Sequence, residues 1–340
     1  MTERPAPGIT DNERDASWDA YWREGQFHSL ADAYHGNYGG RIRAFWETVF
    51  ARQPAGAAVV DLGTGNGAIP LIAREVSEAH GLKLEIHGID RADIDPPAAL
   101  ATNRQVDFSG IRFHPRTPAE ATGFPADTVR LVTAQYAFEY TDTDATVAEL
   151  ARILQPGGQL AFIMHHSDSV ILRTTREELD HARLVFEEVA LFDKAAALLE
   201  LMAAATTPAA REALQRDPKA QRRREALNEA AARISARIES AGNPLFLQTA
   251  LGMVSDVFQR ATGLAPDRIR GELDSAAQRL GANLGRLRDL VRAQVGRERR
   301  AAIESALGAA GFAEIHIEPM TDRPPRGAEA LIGWRLEARR

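Results

Sequence analysis

Between positions 58 and 165, five apolar runs of strand length alternate with segments of helical pattern, and this alternation constrains the fold more than any other feature of the chain. The runs cover 58–63, 84–90, 111–114, 129–135 and 159–165. Helical periodicity fills 68–80 and 144–154, the second helix stopping at Pro156-Gly157-Gly158. Strands this apolar need cover on both faces, which predicts a mostly parallel sheet with helices on either side. The rhythm breaks after Val170. From there to about Arg300 the pattern is helical and rich in Ala, Leu, Glu and Arg, with boundaries at Pro208, Pro218, Pro244 and Pro266. Strands resume at 312–319 and 331–338, so the helical block reads as an insertion within one α/β domain. Four regions follow: 1–55, a tail and aromatic-rich helical cover; 56–170, the ligand-binding core; 171–297, the insertion on the substrate side; and 298–340, the last helix and closing strands.

Composition narrows the chemistry. The 340 residues include no cysteine, which excludes disulfides, thiolate metal sites and a cysteine nucleophile. The net charge of −6 argues against a polyphosphate partner, although 170–300 holds 22 Arg and Lys against 18 Asp and Glu. Arg222-Arg223-Arg224 is the strongest basic run, and on an Ala-rich helix it reads as a solvated face. The start, MTERPAPGITDNERD, lacks an apolar core and resembles neither a signal nor a transit peptide; residues 1 to about 15 read as a loose tail. Apolar stretches such as 191–205 carry Asp193, Lys194 and Glu200, so no membrane span is expected and the chain is read as a cytoplasmic protein.

Two features point to a ligand. Asp61-Leu62-Gly63-Thr64-Gly65-Asn66-Gly67 joins the first strand to a helix, and its glycines allow a sharp turn under a helix N-terminus. His87-Gly88-Ile89-Asp90 then places a carboxylate at the end of the adjacent strand, where it can hold a ribose diol or cap the helix after Pro96. Ahead of both, Trp18, Tyr21, Trp22, Phe27, Tyr34, Tyr38, Phe45, Trp46 and Phe50 concentrate nine of the chain's 22 aromatic residues in 33 positions. These rings read either as a cover over the ligand or as amphipathic helices packed on the sheet.

With these residues in view, the sequence resembles the class I S-adenosylmethionine-dependent methyltransferases over 59–166 and again over 312–338. Asp61 to Gly67 looks like the family's first motif and Asp90 like its ribose acid. Phe124-Pro125-Ala126-Asp127, Leu154-Gln155-Pro156-Gly157-Gly158 and the closing strands with Gly333-Trp334 also fit. The resemblance implies a doubly wound, seven-stranded Rossmann-like sheet, mostly parallel with one antiparallel strand near the end, interrupted by the helical insertion after the fifth strand. It implies S-adenosylmethionine as cofactor, bound by Asp61, Gly63, Thr64, Gly65, Gly67, Asp90 and Gln135, with Arg91 either stacked on adenine or turned to solvent. Pro118 stands where many members have an acid for the adenine amino group, which shifts that contact to Ala119 or Glu120.

The acceptor side is less marked. Tyr21, Trp22, Glu139 and Tyr140 are expected to meet a small or medium organic substrate. His165 and His166 leave the fifth strand where a base could take a proton from the acceptor, His166 being favoured; both also read as loop histidines. Neighbours on an extended chain point to opposite faces, so the two do not share a metal ion, and no metal is expected. The segment 135–140 lacks the Asn/Asp-Pro-Pro-aromatic pattern of nucleobase amino methylation, so nucleic acid is not the expected partner. Homo-oligomerisation stays open. A nicotinamide oxidoreductase is the alternative enzyme, since Gly63, Gly65 and Ala68 satisfy G-x-G-x-x-G/A; against it, Asp90 lies 27 residues beyond Gly63, where about 20 is usual. A methyltransferase-like interaction protein without activity is the third reading.

Overall fold

The computed structural model of the chain describes residues 11–29, 36–102, 106–261, 264–323 and 328–340. Tyr34, the first ten residues of the expected tail and a few other positions lie outside them. The chain divides into two compact units, 1–172 with 289–340, and 173–288.

The first unit is built on a seven-stranded sheet: β1 (Ala58–Leu62), β2 (Glu85–Ile89), β3 (Ile111–His114), β4 (Val129–Gln135), β5 (Leu154–Met164), β6 (Ala313–Asp322) and β7 (Ala330–Arg339). Their order across the sheet is β3-β2-β1-β4-β5-β7-β6. β1 to β5 pair in parallel, and β7 runs antiparallel between β5 and β6. That insertion distinguishes the sheet from the 3-2-1-4-5-6 order of dinucleotide-binding folds. The central strands are apolar because both faces are covered. On one face α2 (Gly40–Ala51) and α3 (Ala68–His80), which follow α1 (Asp11–Arg23), pack against Val59, Leu131 and Ile163. The turn α4 (Pro96–Ala99) comes next in the chain. On the other face Val147, Leu150 and Ile153 of α5 (Thr143–Ile153) join Val60, Val132 and Phe162 in a second core.

β5 departs from expectation. It starts at Leu154, directly after α5, and contains the Pro-Gly-Gly sequence that reads as a turn. Gly157 adopts a left-handed φ of 75° there, and the register against β4 shifts. The irregularity is held by the chain's last residue: Gly157 N–H donates to the Arg340 carbonyl and Arg340 N–H donates to that of Gly158.

The second unit is helical. The chain runs through α6 (Val170–Arg183), a π-helical turn at Leu184–Glu188, α7 (Leu191–Ala204), α8 (Pro208–Arg216), α9 (Pro218–Ser240), α10 (Leu245–Arg260), α11 (Pro266–Gly281) and α12 (Leu284–Ala293). α13 (Arg297–Ala309) then packs with α5 in the first unit's second core, through Ile303 and Leu307. Pro208, Pro218 and Pro266 each open a helix at its first turn, where a missing N–H costs nothing. Thr207 and Asp217 cap two of these starts with their side chains. The unit has its own core, in which Val185, Leu199, Ile234, Leu247, Ala250 and Leu273 are buried.

Candidate active site

The carboxyl ends of β1, β2 and β4 open onto one cavity of ≈ 1060 Å³, counting its mouth. Open α/β sheets place their ligands at this edge, at the point where strand order reverses. Asp61, Gly63, Thr64, Asp90, Arg91, Ala119, Glu120 and Gln135, all expected to bind cofactor, line it. Thr117 lines it as well, while Glu120 also accepts the N–H of Asp142.

The glycines make room chiefly for protein. A Cβ on Gly63 would lie 2.5 Å from that of Ala137, and one on Gly65 would lie 2.5 Å from the Trp22 indole. Both residues have left-handed backbones, φ 56° and 50°, which favour glycine. Gly67 is shielded by Phe113 and Phe108 and serves as the N-cap of α3. These rings fill the space above Gly65 and Gly67, and neither glycine is among the residues that line the cavity.

Asp90 is oriented by the loop it faces. One oxygen accepts Gly65 N–H at 2.8 Å and the other accepts Ala92 N–H at 2.9 Å. These two bonds fix the direction of the carboxylate at the cavity. Asp95, not Asp90, caps the helix at Pro96.

Asp61 is fully buried and accepts the Thr133 hydroxyl at 2.7 Å. Burial pushes its carboxyl up to about 7, against that hydrogen bond. A cation seated beside it would favour the ionised form. At the end of β4, Gln135 Oε1 accepts the Trp46 indole N–H at 2.7 Å, while Gln135 Nε2 is buried with no partner among the described residues. An orphaned donor near a buried carboxyl, with Asp90 lining the same cavity, fits an adenosyl amino acid: ammonium, carboxylate and ribose diol each find a complementary group.

The aromatic stretch divides between two roles. Phe45, Trp46 and Phe50 are core residues on the inner face of α2. Trp18, Trp22, Phe27 and Tyr38 line the cavity. Trp18 stacks on Trp22 with centroids 5.8 Å apart and meets the edge of Tyr140 at 5.9 Å, roofing the space. Asn66 fastens this roof, its Nδ2 donating to the carbonyls of Trp22 and Gln26.

Of the expected acceptor residues, Trp22 and Tyr140 line the cavity and the others do not. Tyr21 turns its hydroxyl to the His28 carbonyl. Glu139 is buried under the floor, where it accepts His165 N–H at 2.6 Å, and burial pushes it up to about 7. His165 and His166 are also set back. His165 is buried flat against Tyr136, with centroids 4.3 Å apart. His166 stacks on Trp334, and its Nδ1 accepts Asp168 N–H. That bond leaves the neutral ring's proton on Nε2, and burial lowers the pKa despite Asp168. Neither ring is among the residues that line the cavity.

The structure adds residues that no local motif marks. His28 and Tyr38 stack at 4.3 Å in the cavity wall, and burial lowers His28 to about 4, so it is neutral at physiological pH. Tyr136 lines the cavity with a left-handed φ of 55°. A bulky residue there is held at a cost of order 1–3 kcal/mol, a kind of strain that clusters at functional sites. No helix of the described residues is long and apolar enough to cross a membrane, and among them no cluster of three His, Asp or Glu side chains could hold a metal.

The family profile described as a methyltransferase domain matches residues 34–206, half of the chain. Among solved structures, the complex between the Haloferax volcanii Trm112 methyltransferase activator and its methyltransferase shares 26% identity, over 47% of this chain and 66% of that one, with a TM-score of 0.34. Geranyl diphosphate C-methyltransferase from Streptomyces coelicolor shares 15%, over 51% and 74%, at 0.36. YcgJ from Bacillus subtilis shares 15%, over 88% and 97%, at 0.35. None of these structural likenesses is close enough to bear on the acceptor. No curated protein matches the chain.

Proposed function

Since the chain belongs to the class I S-adenosylmethionine-dependent methyltransferases, we propose that it transfers the methyl group to a small or medium organic molecule held under the aromatic roof. One observation carries this reading: the cavity that holds Asp61, Gln135 and Asp90 is the same one that Trp18, Trp22, Phe27 and Tyr140 enclose.

S-adenosylmethionine supplies a methyl group already activated on a sulfonium. The protein's task is then alignment and exclusion of water, and alignment alone can lower a barrier by about 7–11 kcal/mol. Asp90 would hold the ribose, Asp61 the amino group, and Arg91, Ala119 and Glu120 the adenine side. Trp18, Trp22 and Tyr140 would cover the acceptor and keep water out. The neutral His28 would face it without adding charge. The positions of His165 and His166 favour alignment over proton removal by either ring. We assign acceptor selection to the helical insertion, because every recognisable cofactor residue lies outside it.

Incubating the protein with a metabolite extract and isotopically labelled methyl donor, followed by mass analysis, tests this reading. A labelled small product is expected. Label recovered only in nucleic acid or protein would contradict it.

A further inference from the structure

Trp46 is fully buried in α2 and outside the cavity, yet it governs what the cavity presents. An indole N–H can only donate, so the Gln135 atom 2.7 Å from it must be the amide oxygen. Turning the amide over would set two donors against each other and leave a buried indole proton unpaired. The NH₂ of Gln135 is therefore held in one direction, buried, without a partner among the described residues, in a side chain that lines the cavity.

What it faces follows from the sheet. Asp61 pairs in register with Thr133, and Gln135 lies two residues further along the same face of β4. A buried carboxyl and a fixed neutral donor thus lie near each other on adjacent strands, both lining the cavity. Among its described lining residues the one guanidinium, Arg91, adjoins Asp90, so the Asp61 end has no Arg or Lys to receive an anion. Carboxyl plus amide donor is the complement of an ammonium and a carboxylate on neighbouring atoms.

We infer that Trp46 is a positioning residue which, by fixing the Gln135 amide with its donors toward the cavity, makes the site select a cofactor with an intact amino-acid end over its decarboxylated counterpart. The inference rests on the cofactor assignment made above and adds the residue pair that reads the carboxylate.

Calorimetry with two probes tests it: S-adenosylhomocysteine, and its decarboxylated analogue S-adenosyl-3-thiopropylamine. The wild-type protein should prefer the first by about tenfold or more, the scale of a hydrogen bond to a charged group. Gln135→Glu keeps the shape and an acceptor for the Trp46 indole but replaces the donor with an acceptor. It should weaken S-adenosylhomocysteine by at least about tenfold and leave the analogue unchanged or tighter. Trp46→Phe frees the amide to turn and should reduce the preference in the same direction by a smaller factor, with Gln135 intact. If that variant fails to fold, as a melting curve would show, Gln135→Glu decides alone. Equal losses for both probes, or none, would overturn the inference. Failure of the wild type to bind either probe would instead remove the cofactor assignment beneath it.

Discussion

Asp61 and Glu139 are carboxyl groups that folding keeps protonated into the neutral range. Burial pushes each to about 7, whereas their ordinary values are 3.8 and 4.5. Between those values and about 7 the folded chain holds protons that the unfolded chain has released. Stability therefore falls as pH rises through that window, then levels off. Glu139→Gln keeps an oxygen to accept His165 N–H and removes one titration. Its melting temperature should decline less between pH 5 and pH 8, with a gain of roughly 2–8 °C over wild type at pH 8; an unchanged slope would show that Glu139 ionises freely in the fold. Asp61 gives the opposite sign for binding, because an ammonium beside it favours the ionised carboxylate. Affinity for S-adenosylhomocysteine should rise from pH 5 to pH 7, with proton release on binding detectable in buffers of different ionisation enthalpy. Asp90→Ala removes the ribose acceptor and should weaken the same ligand by about 1.5–3 kcal/mol without loss of helical circular dichroism.

The N-terminal helix α1 meets the glycine loop at Asn66 and Gly65, which makes its docking testable on its own. Asn66→Ala deletes both donors to the carbonyls of Trp22 and Gln26, a loss of about 1–3 kcal/mol if those carbonyls find no water. Amide exchange over residues 17–26 should quicken while that of β1 and β4 stays slow; equal protection would mean that Trp22 alone holds the helix. Gly65→Ala should loosen the same helix from the other side, since its Cβ would enter the Trp22 ring. The elements themselves were largely readable in the sequence. β1 and β4 are strand-length runs with apolar centres at Val59-Val60 and Leu131-Val132, and α3 is flanked by Gly67 and Gly81, so these elements carry chemical markers. The start of β5 was not readable, because Pro156-Gly157-Gly158 has the composition of a turn and becomes strand only when Arg340 supplies backbone partners. The Trp46–Gln135 bond spans 89 residues, and the His28–Tyr38 stack joins two rings outside any helix or strand, so neither leaves a local pattern. Glu139 shows the limit in reverse: an acid in a loop reads as exposed and ligand-facing, but it is nearly fully buried and serves the backbone of His165.

At the scale of the whole molecule, every residue that lines the cavity belongs to the first compact unit, while the insertion forms the second. Replacing 173–288 by a short linker should leave S-adenosylhomocysteine binding within a few-fold of wild type, provided the product shows a cooperative melt, and should abolish or broaden methylation in the extract assay. Methylation with an unchanged product would remove the insertion from acceptor selection. The central claim, that this sheet edge binds an adenosyl amino acid and uses it for methyl transfer, is tested most directly by titrating the intact protein calorimetrically with S-adenosylhomocysteine and, separately, with NAD. The account predicts saturable binding of S-adenosylhomocysteine that Asp90→Ala weakens, and no comparable heat with NAD; tight NAD binding with none for the sulfur compound would contradict it.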